Sequence, residues 1–259
     1  MVTYHPPQRA LDVQLEFNFL ELPKLKYLGL EKTNKPLYDK RLFMKTIDFY
    51  LDFISPYAWL AFDALPKALQ GIDYQVTYRP ILFAGLLKHH GQLGPAEIPG
   101  KRDWTYRQVL WRAREQGTPL QLPASHPFNP LGLLRLAVAC SPTGTPSREV
   151  CDRIFRHVWC SGLEGADTGR LQALTDDLSP TREAGSAEVK LALQQQTDSA
   201  IARGLFGVPS FVVDNKVFWG HDALSMLRAY LLGDPWFDGP DWRATDNCPS
   251  AIPSRQRGG

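Results

Sequence analysis

Four residues, Ser55-Pro56-Tyr57-Ala58, stand where an alternating apolar run gives way to a helical one. A serine at such a junction lies beside backbone N–H groups that have no partner inside the helix. Those donors, with the helix dipole, attract negative charge. Two roles follow for Ser55: it caps the helix, with Pro56 at the favoured first helical position, or its hydroxyl meets an anionic group. Asp222, in "FWGHD", has a similar choice between capping the last helix and anchoring an ammonium group. Val208-Pro209, in "FGVPSF", stands at the entry to a strand, where an ordinary trans proline on an edge strand is the plain interpretation.

Bulk properties exclude several classes. The 259-residue chain has a formal charge of +2, too near neutral for a dedicated nucleic-acid surface. No apolar run reaches the roughly 20 residues of a membrane span. The four cysteines, Cys140, Cys151, Cys160 and Cys248, form neither a Cys-x-x-Cys pair nor a zinc spacing. Three fall on expected helices, where free Cys behaves as a small buried hydrophobe, and a reducing cytoplasm fits. No histidine has a carboxylate at a metal-ligand spacing, so no metal is assigned.

The elements that must position these residues are legible. Ile47, Phe49, Leu51 and Phe53 alternate with Asp48, Tyr50 and Asp52, the period of a strand. A helix from Pro56 to about Leu69 and a strand over 74–81 complete a β-α-β unit. From about Ala84 to Arg203 the pattern is mainly helical, with helices expected over 101–116, 130–140, 147–160, 168–178 and 186–203. "SFVVD" and "KVFW" read as strands joined at Asp214-Asn215, a tight hairpin. A last helix runs from near Asp222 to about Leu232. The order is α/β: a thioredoxin-like fold with an inserted helical domain. Residues 44–83 and 204–235 form the thioredoxin-like part and 84–203 the insertion. Residues 1–43 read as an extension, disordered or from a mis-assigned start, with Met44 the expected natural start. Residues 236–259 read as a flexible, turn-rich tail.

Together, "FYLDFISPYAWLAF", "FGVPSFVVDNKVFWGHDAL" and the helical insertion closely resemble the 2-hydroxychromene-2-carboxylate isomerases and their relatives, the kappa-class glutathione transferases. The resemblance covers roughly residues 45–235 and implies a DsbA-like fold in which Pro209 is cis and faces the Ser55 turn. It implies glutathione as cofactor: Ser55 hydrogen-bonds the thiolate, Val208 and Pro209 present backbone to the peptide, and Trp219, Gly220, His221 and Asp222 hold the γ-glutamyl end. It further implies reversible thiolate addition to a conjugated double bond, bond rotation and elimination. The substrate would be an anionic, aromatic-derived keto acid, and relatives imply a homodimer through the inserted helices.

An anionic substrate calls for cations. Lys88 matches the position of a substrate-binding lysine in the isomerases, and Lys101 and Arg102 lie near an Asn-Arg pair of that family; each is otherwise a solvated surface charge. One departure stands out. Where those isomerases carry a tyrosine before a Gly-x-Pro, "WRAREQGTPL" has Gln116. Trp104, Tyr106 and Trp111 are available as aromatic walls or as core. Conjugation or reduction of other electrophiles at the same thiolate is a second reading. A thioredoxin-like binding protein without catalysis is a third, since Ser55 and Ala58 leave no dithiol to exchange.

Overall fold

The computed structural model describes residues 44–245. The expected extension over 1–43 lies outside the described residues. Strand β1 (Lys45–Leu51) is followed by α1 (Pro56–Ala68) and β2 (Tyr74–Pro80). Six helices come next: α2 (Phe83–His90), α3 (Pro99–Gln116), α4 (Leu131–Ala139), α5 (Arg148–Trp159), α6 (Thr168–Leu178) and α7 (Ala187–Ala202). The hairpin β3 (Ser210–Val213) and β4 (Lys216–Trp219) precedes α8 (Leu224–Leu231) and a short α9 (Pro240–Ala244). The sheet order is β2-β1-β3-β4, with β1 parallel to β2 and the other neighbours antiparallel.

The period-two strand sorts its side chains between two cores. Ile47, Phe49 and Leu51 face a large cluster built with α1, α4 and α5, where Phe49 meets Phe211 at a ring separation of 4.5 Å. Tyr50 faces the other way, into a smaller cluster with Leu86 of α2, Ala200 of α7 and Val212. Helices therefore cover both faces of β1, and the turn after it is fixed from both sides.

Two regions differ from expectation. Helix α2 lacks a local side-chain cap at its start. Its first N–H, that of Phe83, is instead accepted 2.9 Å away by Asp52 Oδ2, and the Leu82 N–H by Thr197 Oγ1 at 3.0 Å. Caps supplied from distant sequence leave no local signal. The second correction concerns residues 236–245, expected in the flexible tail. A 3-10 turn over Pro235–Asp238 buries Phe237 to 3% exposure, and α9 brings Trp242 to 5.2 Å from its ring. Gly and Pro there mark turns, but the aromatics between them supply enough apolar surface to seal the end of the sheet.

Candidate active site

Ser55 is both a cap and more than a cap. Its Oγ accepts the Ala58 N–H at 3.2 Å, and the residue is only 7% exposed. The hydroxyl's own proton points at Val208 O, 3.4 Å away, a long and weak bond. Pro56 has no N–H, and the Ala58 and Trp59 N–H groups turn back to Ser55 O at 3.1 and 3.2 Å. Among the described residues, the Tyr57 N–H has no such partner. The mouth of α1 thus offers one weakly used O–H and one free N–H to an anion.

Val208–Pro209 is cis, and Pro209 O accepts the Gly220 N–H at 2.9 Å. This bond ties the proline loop to the loop after β4, so Ser55, Val208, Pro209 and Gly220 form one connected group. Gly220 has φ +99°, and a Cβ there would meet Asp222 Oδ1 at 2.5 Å. Only glycine lets the carboxylate fold over this turn. Asp222 itself is exposed and caps nothing: α8 begins after Ala223 without a side-chain cap. The helix-cap reading of Asp222 is therefore corrected, and its carboxylate is left facing solvent. Trp219 is 53% exposed, lies over Gly207 and meets the Phe206 ring edge-on at 4.8 Å.

His221 is anchored by the residue that departs from the isomerase pattern. Its Nε2–H donates to Gln116 Oε1 at 2.8 Å. The Gln116 amide donates in turn to Thr118 Oγ1 at 2.5 Å and Leu60 O at 3.2 Å, and Thr118 donates to Asp63 Oδ2 at 2.5 Å. Arg112 approaches His221 Nδ1 at 3.5 Å. Burial, then the Arg112 charge, holds His221 below the ordinary histidine range, with Asp222 opposing. Gln116 thus connects α3, α1 and the Gly220 loop.

The expected cations separate. Arg102 lines a cavity of about 260 Å³ together with Tyr106 and His126. His126 Nε2 lies 2.8 Å from Ile54 O, the residue before Ser55, so this cavity abuts the turn. Lys88 on α2 and Lys101 on α3 are exposed, and among the described residues neither forms an ion pair with the group around Ser55. Trp104 and Trp111 are 62% and 56% exposed, so they are not core.

Asp52, one of the residues that alternate with the apolar positions of the strand pattern, is not among the expected site residues. It is fully buried. Oδ1 accepts the Ile54 N–H at 3.1 Å, Oδ2 accepts the Phe83 N–H, and its carbonyl accepts the Ser55 N–H at 3.0 Å. Burial pushes the carboxyl up to about 7, against the backbone bonds from Phe83, Ile54 and Phe53. Asp52 therefore joins the Ser55 turn to the start of α2. A signal existed: an acid directly after the strand pattern and three residues before the Ser-Pro turn.

The profile of the DSBA-like thioredoxin domain matches residues 46–232. The chain belongs to that family. A 2-hydroxychromene-2-carboxylate isomerase of Sphingobium xenophagum is 30% identical over 201 residues, covering 73% of this chain and 98% of its own length. Glutathione S-transferase kappa 1 of Rattus norvegicus is 26% identical, covering 74% of this chain and 92% of its own. Among solved structures, a 2-hydroxychromene-2-carboxylate isomerase superposes with a TM-score of 0.64 at 24% identity, covering 76% of this chain and 98% of that one. The resemblance to these isomerases and to the kappa-class transferases, first carried by short motifs, thus holds over most of the chain.

Proposed function

We propose that the chain is a glutathione-dependent isomerase acting on an aromatic-derived keto acid of the 2-hydroxychromene-2-carboxylate type. The observation that carries this is the mouth of α1, where Ser55 O–H makes only a 3.4 Å bond to Val208 O and the Tyr57 N–H is free. Both donors fit a thiolate. Bound glutathione would supply that thiolate, which adds to a conjugated double bond, permits rotation and is eliminated. The Val208 backbone faces its peptide, and Asp222, folded over Gly220, fits the ammonium of its γ-glutamyl end.

Magnitudes support this assignment. A thiol of pKa ~8.5 is mostly protonated at pH 7. Lowering it by ~2 units requires about 2.7 kcal/mol. A helix terminus contributes ~0.3–1 kcal/mol and a hydrogen bond to a charged group ~1.5–3 kcal/mol. Ser55 needs no covalent bond to the substrate for this role.

Arg102 is the cation this reading assigns to the substrate carboxylate, with Lys88 and Lys101 as further cations of the substrate side. The inserted helical domain over 84–203 and the thioredoxin-like part over 44–83 and 204–235 then contribute the substrate and cofactor sides respectively. A homodimer through the helical block and a cytoplasmic location complete the reading; Trp104 and Trp111, exposed on α3, are the surface such a dimer would cover.

The test is ultraviolet difference absorbance of glutathione with wild type and with Ser55→Ala. The expected outcome is a thiolate band at neutral pH that the variant shifts upward by ~1–2 pH units, the equivalent of one lost charge-assisted bond. An identical band in both proteins removes Ser55 from the chemistry. Conversion without loss of free thiol separates isomerisation from conjugation, which consumes it.

A further inference from the structure

The cavity beside the Ser55 turn holds a hydrogen-bonded pair, Tyr106 and His126, to which no acid–base role has been given. His126 Nε2 lies 2.8 Å from Ile54 O, and a carbonyl only accepts, so Nε2 carries the proton. Nδ1 is then a lone pair. The Tyr106 hydroxyl lies 2.7 Å from it and donates to it, with His126 O a longer alternative at 3.3 Å. The phenol oxygen is left with acceptor capacity only. Both side chains line the cavity of about 260 Å³, together with Arg102, Asp103 and the apolar stretch Leu122 to Ala124. That size lies near the small end of ligand pockets, ~300–1,000 Å³, and suits one small aromatic acid.

We propose that Tyr106, backed by His126, is the proton acceptor that opens a cyclic hemiketal bound in this cavity, with Arg102 holding its carboxylate. This rests on the proposed function, because a 2-hydroxychromene-2-carboxylate is the cyclic hemiketal of an aromatic keto acid. The steps balance within the pair and the substrate. The hemiketal hydroxyl gives its proton to the Tyr106 oxygen as Tyr106 passes its own to His126 Nδ1. The carbon–ring-oxygen bond breaks, a carbonyl forms, and the phenolate leaves. The proton then returns along the same path to the phenolate, giving a phenol and restoring the pair. Positioned acid–base groups of this kind contribute about 10²–10⁴-fold.

The surroundings keep the acceptor in working form. Burial holds His126 below the ordinary histidine range, opposed by the bond to Ile54, so Nδ1 stays unprotonated near neutrality. The charged groups on α3 that share the cavity are Arg102 and Asp103, themselves 3.6 Å apart. From the other sides His126 meets the rings of Trp159 at 5.4 Å and Phe128 at 5.9 Å, neither charged.

The opening needs no glutathione, so it is measured without it. The rate of ring opening of 2-hydroxychromene-2-carboxylate is followed by absorbance with wild type, Tyr106→Phe and His126→Gln. The thiolate band of bound glutathione is recorded in parallel. The expected result is opening about 100-fold slower in Tyr106→Phe, with the thiolate band unmoved. His126→Gln should also be slow and should lose the wild type's fall in rate at acid pH. Opening at the wild-type rate in Tyr106→Phe overturns the proposal. So does a wild type that leaves opening unaccelerated, whatever the thiolate band shows. A missing band with intact, Tyr106-dependent opening overturns the glutathione reading and leaves this one standing. Should Tyr106→Phe be unstable, weaker binding of 2-hydroxycinnamate to Tyr106→Trp or Arg102→Ala by calorimetry supports the cavity as the site, and unchanged binding overturns it.

Discussion

Around Ser55 the main chain does most of the holding: Ser55 N–H to Asp52 O, Gly220 N–H to Pro209 O, and the Ala58 N–H to Ser55 O. Along α3 the side chains do it, with Gln108 reaching Tyr57 at 2.5 Å, Gln116 reaching His221, and Tyr106 reaching His126. A main-chain frame keeps its geometry whatever most of its side chains are. A side-chain frame is rewritten by single substitutions. The first half therefore belongs to the fold, and the second is the half that single substitutions can change. That division matches the general observation that one fold carries many chemistries through its sites.

Asp52 is the exception that ought to break the comparison most severely, because it is a side chain inside the main-chain half. Asp52→Ala orphans the Ile54 and Phe83 N–H groups. The expected loss is about 1–3 kcal/mol for each, read from denaturant midpoints. Asp52→Asn isolates the charge. With the folded carboxyl near 7 and the unfolded one near ~3.9, the folded chain keeps a proton that the unfolded chain has lost between those values. Wild type thus loses stability from this group as pH rises from about 4 to about 7. Asn does not titrate, so the variant should gain on wild type across that window. A constant difference between the two proteins over the window would show that Asp52 stays ionised in the fold.

The same division explains what was legible. Strand alternation, the Ser-Pro turn, the Val-Pro entry and the Asp214-Asn215 hairpin are local, and helix bounds read from periodicity fell within two residues of those observed, as for α3 and α6. Helix α2 was illegible because its first N–H is capped by Asp52, 31 residues earlier. The burial of Asp52 was illegible because period two tells which face a residue takes, not whether helices cover that face. The role of Gln116 was invisible because its partners, Leu60, Thr118 and His221, converge only in three dimensions. Local patterns carry the motifs around Ser55 and Pro209, and among the expected cations only Arg102 lines the cavity beside that turn.

Gly220 sharpens the main-chain half with a smaller effect. Gly220→Ala forces a side chain into φ +99° and against the Asp222 carboxylate. Such strain costs of order 1–3 kcal/mol. If the turn exists to seat Asp222, that cost should fall on glutathione affinity, measured by calorimetry, as a loss of about 5–30-fold for 1–2 kcal/mol. Asp222→Asn should lower affinity similarly, while leaving thermal stability nearly unchanged. A Gly220→Ala protein that binds normally but melts earlier would make this a structural turn only.

The smallest expected effect tests the side-chain half at the place where the chain departs from the isomerase pattern. Gln116→Ala cuts the bond to His221 and leaves Thr118 bound to Asp63. One neutral hydrogen bond between partly buried groups is worth about 0.5–1.5 kcal/mol, a change of roughly 2- to 10-fold in glutathione affinity. His221→Ala should produce a loss of the same size. Because the two residues act through one bond, the double variant should lose little more than either alone, a coupling of about 0.5–1.5 kcal/mol. Additive losses would mean that His221 meets the ligand by itself and that Gln116 only ties α3 to α1. In either case the thiolate band should not move. On the proposed function, the Gln116–His221 pair would orient the far end of glutathione, whereas the proton on its sulfur would answer to Ser55 and the mouth of α1.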